Sequence, residues 1–114
     1  MGTIGPFAVL QARADFVAAS RARRAAAPSL HLQGRPRGDD APPRVGFTCS
    51  KKVGNAVRRN HAKRRLREAA RAVLPGAARP GWDYVLVGRE GATAARPWPD
   101  LLADLRAALA RVHA

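Results

Sequence analysis

The strongest constraint on the fold is a long amphipathic helix that lies between two segments with strand character. Asn55 is a good N-cap and Pro75-Gly76 is a strong stop signal, which together predict a helix over residues 56–74. At helical spacing its apolar side chains fall on one side, namely Ala62, Leu66, Ala69, Ala70 and Val73. A helix with one apolar face has to bury that face against another element. The sequence therefore predicts a sheet behind this helix.

Three segments provide strands for that sheet. Residues 44–50 have the pattern of a strand whose side chains point alternately to opposite faces, with Val45, Phe47 and Cys49 on one side and Gly46, Thr48 and Ser50 on the other. Residues 82–87 are almost continuously apolar, which is typical of a strand in the interior of a sheet. Residues 29–33 form a shorter candidate strand. The sheet is therefore expected to be small.

Two further helices complete the predicted fold. Helical spacing covers residues 10–24 and stops before Pro28, and Pro99 suits the first turn of a last amphipathic helix. The chain of 114 residues is long enough for one modest core, so a single domain is expected. The prediction is an α+β fold with the order α-β-β-α-β-α, in which residues 1–9 are loosely ordered and residues 34–43 form a loop.

The composition narrows the class of function. The formal net charge is +13, with 21 Lys and Arg against 8 Asp and Glu, which favours a polyanionic partner, first a nucleic acid and second an anionic membrane. A single cysteine, Cys49, can form neither an internal disulfide nor a zinc site, and it suits a reducing, cytoplasmic compartment. No apolar run approaches the roughly 20 residues of a membrane span. We therefore expect a cytoplasmic protein that does not bind a membrane.

The positive charge is concentrated in residues 44–71. This segment has one acid, Glu68, and ten basic residues, which are Arg44, Lys51, Lys52, Arg58, Arg59, Lys63, Arg64, Arg65, Arg67 and Arg71. On the predicted helix, one arc of roughly 100° holds Asn60, Lys63, Arg64, Arg67 and Arg71, with Arg59 beside it. A solvated helix face normally mixes charges of both signs, whereas an arc of guanidinium groups suits phosphate. The arc therefore favours a nucleic-acid surface over a plain solvated face.

The start of the same helix adds to this surface. Lys51 and Lys52 come just before Gly54 and Asn55, and the free N–H groups of the first helical turn point into the same neighbourhood. Such a helix start binds anions readily. Gly54 is expected to adopt a backbone conformation that a β-carbon would hinder.

This segment resembles the signature of the bacterial ribonuclease P protein family, through the ungapped string Lys51-Lys52-Val53-Gly54-Asn55-Ala56-Val57-x-Arg59-Asn60-x-x-Lys63-Arg64-x-x-Arg67. Outside it the resemblance covers the Asp15-Phe16 pair, the strands near Leu30 and at residues 83–87, and the last helix. The resemblance implies a small mixed sheet with a left-handed βαβ crossover. It also implies a subunit of an endoribonuclease that removes the 5′ leader of precursor tRNA.

The resemblance further implies partners and site residues. The catalytic centre of the family lies in the ribonuclease P RNA, which holds Mg²⁺, so this chain is expected to carry no catalytic residue. Its partners would be that RNA and precursor tRNA, with no obligate protein partner. The implied RNA-binding residues are Lys51, Lys52, Asn55, Arg59, Asn60, Lys63, Arg64, Arg67 and Arg71.

A second implied site is a cleft between the first helix and the sheet, which takes the single-stranded leader. Its residues here would be Phe16, Thr48 and Ser50. Ser20 stands where many members have a second aromatic residue, and the strand at residues 29–33 has no aromatic side chain. Leader binding is therefore expected to depend less on stacking and more on charge and shape. The alternative for Phe16 is a plain core residue, and no protein ligands for a metal are apparent.

Two other functions compete with this one. A structural RNA-binding protein of the ribosomal type fits the charge equally well, but it would have no reason to carry the signature string. A metal-dependent nuclease acting alone needs converging carboxylates, whereas the eight acidic residues here are scattered. The ribonuclease P subunit is therefore the main hypothesis.

Overall fold

The computed structural model describes residues 3–4 and 7–114, with side chains from residue 7 onward apart from that of Lys51. The strands are β1 (Thr3–Ile4), β2 (Phe7–Val9), β3 (Arg23–Ala26), β4 (Leu30–Pro36), β5 (Arg44–Cys49) and β6 (Trp82–Gly88). The helices are α1 (Arg13–Ser20), α2 (Ala56–Val73), α3 (Ala92–Ala95) and α4 (Trp98–Val112), with short 3₁₀ turns at Lys51–Val53 and Leu74–Gly76.

The strands form one mixed sheet in the order β1-β2-β5-β6-β4-β3. The pairs β2·β5 and β5·β6 are parallel, and the other pairs are antiparallel. Because β5 and β6 are parallel neighbours, the chain between them has to cross over the sheet, and α2 makes this crossover. The predicted α+β fold with a small mixed sheet is confirmed. The left-handed sense of the crossover stays a prediction.

The two faces of the sheet are covered unequally. Tyr84 and Leu86 of β6 point to the face where α2 and α4 pack, and they join the main core. Val85 points to the other face, where it meets Leu10 and Ala19 in a smaller cluster with α1. The central strand β6 is therefore buried on both sides, as its continuous apolar character predicts. The face with α1 is left partly open, and this opening forms two of the grooves described below.

The first predicted helix is too long at both ends. Residues 10–24 were expected to be helical, but α1 covers Arg13–Ser20, and Arg23–Ala26 form a strand that pairs with β4. Alanine and arginine favour a helix, so the pairing of these residues with β4 overrides the local preference. The element order is therefore richer than the predicted α-β-β-α-β-α, with three additional strands and the short helix α3.

Two segments predicted to be irregular are partly strands. Within residues 1–9, Phe7–Val9 pair in parallel with β5, and the Phe7 side chain is only 3% exposed, so these residues are not loosely ordered. Residues 1–2 and 5–6 lie outside the described residues. The predicted loop at residues 34–43 begins later, because β4 extends to Pro36 along β6. Both errors concern strands whose partners are distant in sequence.

A buried carboxylate joins three strands and a helix on the α1 face. Asp83 is fully buried in β6, and its cross-strand neighbours are Arg44 on β5 and Arg35 on β4. Arg44 donates to both Asp83 oxygens at 2.8 Å, Arg37 donates at 2.6 Å, and Arg35 lies at 3.4 Å. Asp15 of α1 then pairs with Arg35 at 3.5 Å and with Arg44 at 3.4 Å. This network therefore attaches α1 to the sheet.

The same network sets the ionisation of Asp83. Burial raises the pKa of this carboxyl, but the hydrogen bonds from Arg44 and Arg37 outweigh that effect and hold the pKa below its ordinary value. Asp83 is therefore ionised in the folded protein at neutral pH, as its arginine partners require.

Asp83→Ala is expected to lower the free energy of unfolding by about 3–5 kcal/mol, because it leaves arginines on the sheet without their carboxylate. Asp40→Ala, which removes an exposed carboxylate in the nearby loop, is the control and should change stability by less than about 0.5 kcal/mol. Urea denaturation at pH 7 measures both. Equal losses in the two variants would contradict the structural role of Asp83.

The pH dependence of stability follows from the lowered pKa. The contribution of Asp83 is present above the unfolded-state pKa of about 4 and is lost as the pH falls through the lower folded-state pKa. The stability of the wild type should therefore fall more steeply than that of Asp83→Ala as the pH is lowered below about 4. Parallel profiles would show that this carboxylate does not control acid sensitivity.

Candidate nucleic-acid interface

Helix α2 begins as predicted. The side chain of Asn55 accepts a hydrogen bond from the backbone N–H of Arg58 at 3.0 Å, which confirms it as the N-cap. Gly54 has φ +124°, a conformation that side chains rarely adopt, and a β-carbon there would lie 2.8 Å from the Arg58 side chain. Lys52 in the preceding 3₁₀ turn is exposed, whereas the side chain of Lys51 lies outside the described part of the structure. The cap therefore fixes where the basic face starts.

The apolar back and the polar front of α2 are both where the sequence predicts them. All five predicted apolar residues are buried, namely Ala62, Leu66, Ala69, Ala70 and Val73. On the front, Arg59, Asn60, Arg64 and Arg71 are exposed, and Lys63 and Arg67 are half-buried. Arg71 pairs with Glu68 at 2.7 Å, but both side chains are about half exposed, so this pair contributes little to stability. The front, which we call the basic arc, thus remains open to an anionic partner.

The basic arc reaches the open edge of the sheet through an aromatic contact. The guanidinium of Arg67 lies over the ring of Phe47 at 5.3 Å from its centroid, which is within the range of a cation–π interaction. Phe47 is half-buried on β5, beyond the point where the short strand β2 stops pairing. The contact holds one arginine of the arc beside the groove under α1.

Arg65 has a structural role that counting charges did not reveal. Its Nη1 donates to the backbone carbonyls of Thr93 at 2.9 Å, Ala94 at 2.9 Å and Arg96 at 2.7 Å. These carbonyls belong to α3 and to the residue after it, so Arg65 holds the short helix against α2. Arg44 is likewise occupied by Asp83. Two of the ten basic residues in segment 44–71 therefore serve the fold.

The groove between α1 and the sheet contains most of the predicted leader cleft. About 380 Å³ is enclosed by Gln11, Arg13, Phe16, Ser20, Gln33, Phe47 and Thr48. Phe16 is half-buried, and its ring packs against Gly46, where a β-carbon would come within 2.7 Å of the ring. Phe16 therefore contributes both to the small core and to the groove wall. The structure brings Phe16 and Thr48 together, with Ser20 on the same helix.

Ser50 lies in a second groove that adjoins the first. Gln33 lines both grooves, and this one encloses about 540 Å³ among Arg24, His31, Gln33, Ser50, Lys52 and Arg89, with further residues of β6 and the loop that follows it. Burial lowers the pKa of His31, and the charges of Arg89 and Arg24 lower it further, so the imidazole is neutral at pH 7. Sequence spacing does not bring Arg24, His31 and Arg89 together, because they come from three different elements.

The acidic and other metal-binding side chains are scattered over the described residues. In residues 3–4 and 7–114, no group of three His, Cys, Asp or Glu side chains is placed to hold a metal ion. Asp39 and Asp40 are exposed, and Asp39 is paired with Arg37 at 3.1 Å. The fold and the basic arc thus define the class of a small nucleic-acid-binding protein.

Comparisons with known proteins identify the family. The family model described as Ribonuclease P matches residues 6–113. The ribonuclease P protein component of Ruegeria pomeroyi is 63% identical over 108 residues, which cover 93% of this chain and 86% of the relative. The corresponding protein of Caulobacter vibrioides is 52% identical over 90% of this chain and 69% of the relative. The ribonuclease P protein from Thermotoga maritima superposes with a TM-score of 0.73 at 26% identity, covering 90% of this chain and 94% of that one.

The chain therefore belongs to the ribonuclease P protein family. This family supplies a subunit of an endoribonuclease that works together with the ribonuclease P RNA in tRNA 5′ processing. The resemblance seen in the sequence is confirmed, and the ribosomal alternative loses its support. Within the described residues, no helix is long and apolar enough to cross a membrane.

Arg65 and its exposed neighbour Arg64 provide a matched pair for testing the structural role of Arg65. Arg65→Ala should lower the free energy of unfolding by about 1.5–3 kcal/mol, because three carbonyls lose a charged donor. Arg64→Ala removes an exposed side chain one position away and should change it by less than about 0.5 kcal/mol. Thermal and urea unfolding measure both variants. The role of Arg65 would be refuted by equal stability of the two.

Proposed function

We propose that this chain binds the ribonuclease P RNA through α2 and holds the 5′ leader of precursor tRNA while the RNA performs the cleavage. The basic arc is the observation that carries the proposal. It places four arginines, one lysine and Asn60 on the outer face of a helix whose opposite face is buried, namely Arg59, Asn60, Lys63, Arg64, Arg67 and Arg71. The core fixes the helix, so its arginines share one outer face on which they can meet phosphate.

The catalytic centre is assigned to the RNA subunit, together with the Mg²⁺ ions that the reaction uses. This assignment rests on membership of the ribonuclease P protein family. Precursor tRNA is the substrate in this proposal, and no other protein is needed for assembly. The proposal places the complex in the cytoplasm, where the single cysteine stays reduced.

The leader is proposed to run along the open face of the sheet. The first contact is the groove of Phe16 and Thr48, and the second is the groove lined by Arg24, His31 and Arg89. One aromatic ring can stack on a base in the first groove, and the arginines of the second can meet backbone phosphates. This division agrees with the expectation that charge and shape replace part of the stacking.

The function is tested by mixing RNA-free protein with a bacterial ribonuclease P RNA and precursor tRNA at low Mg²⁺. The protein alone should not cleave, and the mixture should cleave faster than the RNA alone. Arg64→Glu combined with Arg67→Glu should weaken assembly with the RNA and lower the slope of log affinity against log salt, because phosphate contacts are lost. Binding titrations between about 50 and 200 mM salt measure the slope.

The control for this double variant is Arg79→Glu combined with Arg106→Glu. Both residues are exposed and lie away from the basic arc, near His113, and the change in net charge is the same. If this control loses as much affinity for the RNA as the arc variant, then the loss is caused by the change in net charge and not by the position of the arginines. Cleavage by the protein without RNA would reject the proposed division of labour.

Phe16→Ala should lower the preference of the holoenzyme for precursor over mature tRNA by about 1 kcal/mol, because the leader loses a stacking surface. Ser20→Tyr should raise that preference, since Ser20 is exposed in the same groove one helical turn away. Equilibrium binding of both tRNAs to each holoenzyme measures the preference.

Val17→Ala is the matched control, because it shortens a half-buried side chain of α1 that does not line the groove. It should leave the preference unchanged. If Phe16→Ala weakens both tRNAs equally, or lowers only the melting temperature, then Phe16 is a core residue and the leader does not stack on it.

A further inference from the structure

We propose that the groove between the first turns of α2 and the helix α3 binds one unstacked nucleobase of the ribonuclease P RNA. This inference rests on the proposed function, since it adds a base contact to the phosphate contacts of the basic arc. The groove encloses about 510 Å³ and adjoins the second groove of the leader path, with which it shares Lys52, Arg89 and Glu90 on its rim.

The position of the groove makes it continuous with the basic arc. Counted around the helix at 100° per residue, Val57 and His61 lie roughly 20° and 60° beyond Arg64, on the side of α2 that faces α3. All three side chains are exposed. An RNA strand that follows the phosphate-binding arc therefore reaches this groove without leaving the helix.

The floor of the groove is apolar and unusually open for an apolar surface. Val57 is 77% exposed although it stands in the first turn of the helix, where a polar residue would serve the fold equally well. Val53 and Ala62 are buried beneath it, and Ala94 of α3 forms the opposite wall. A flat aromatic base can cover such a floor, and the imidazole of His61 offers a ring to stack on.

The rim of the groove selects a nucleotide over an apolar peptide. Lys52, Arg58 and Arg89 surround the floor with three positive charges, and Glu90 is the acid among the lining residues. An apolar side chain from a protein partner would gain nothing from these cations, whereas each nucleotide brings a base and a phosphate together. Glu90 can accept hydrogen bonds from a base that presents amino or imino donors. A base inside a duplex hides its faces, so the ligand has to be unstacked.

The test uses full-length protein and a bacterial ribonuclease P RNA. Val57→Ser combined with His61→Ala should weaken binding about tenfold, because the base loses its apolar and stacking contacts. The salt slope should stay unchanged, because no phosphate contact is removed. Both residues are exposed, so circular dichroism and the melting temperature should match the wild type. Ala72→Ser, an exposed change in the same helix roughly 22 Å away, is the control and should bind like the wild type.

A base-reactivity footprint on the RNA locates the contact. The wild type should protect an unpaired base that the double variant leaves reactive. Unchanged affinity and footprint in the double variant would overturn the inference, and so would a reduced salt slope, which would mean that phosphate contacts were lost instead. If the double variant binds normally while Arg64→Glu with Arg67→Glu binds poorly, only this inference fails. If the wild type binds no ribonuclease P RNA, the proposed function itself fails.

Discussion

The geometry of the α1 face depends on one buried carboxylate. Asp83 lies on the central strand β6. The guanidinium groups of Arg44 on β5, Arg35 on β4 and Arg37 in the loop after β4 converge on it. Asp15 extends the network to α1, so the helix that carries Phe16 is held at a fixed height above β5. Gly46 then leaves room for the ring of Phe16. A buried ion network of this kind contributes more to a unique arrangement than to net stability, because desolvation offsets much of the attraction.

Some arginines of this molecule bind groups of the same chain and stabilise the fold, whereas others are exposed and free to meet an anionic partner. Arg44 and Arg65 end on a carboxylate or on carbonyls of the same chain, whereas Arg64 points into solvent. Internal pairing lets a chain with a net charge of +13 fold in spite of its repulsion. On α2 the exposed cations Arg58, Arg59 and Arg64 lie close together, so their mutual repulsion would fall on contact with phosphate.

The parts of the fold that sequence could predict are those with local signals. Helix α2 has its cap and its stop signal in the residues that flank it, so its start, its end to within one residue and its buried face were predicted. Strand β3 could not be predicted, because its pairing with β4 overrides an alanine-rich pattern that also fits a helix. The basic arc followed from spacing alone, whereas the bonds of Arg65 join residues about 30 positions apart. The alternation of His31 with Leu30 and Leu32 was the one available sign that His31 faces the open side of the sheet.

The parallel arrangement of β5 and β6 explains why two of the three grooves meet at one edge of the sheet. Parallel neighbours finish at the same edge of a sheet, so the residues that follow β5 and those that follow β6 meet there. Lys52 comes from the first of these segments and Arg89 from the second, and both line two grooves. The crossover helix α2 starts from the same edge of the sheet. Its first turn therefore lies close to the second groove, although α2 and that groove are on opposite faces of the sheet. A chain of 114 residues can therefore place the proposed leader path beside the helix that is proposed to bind the RNA.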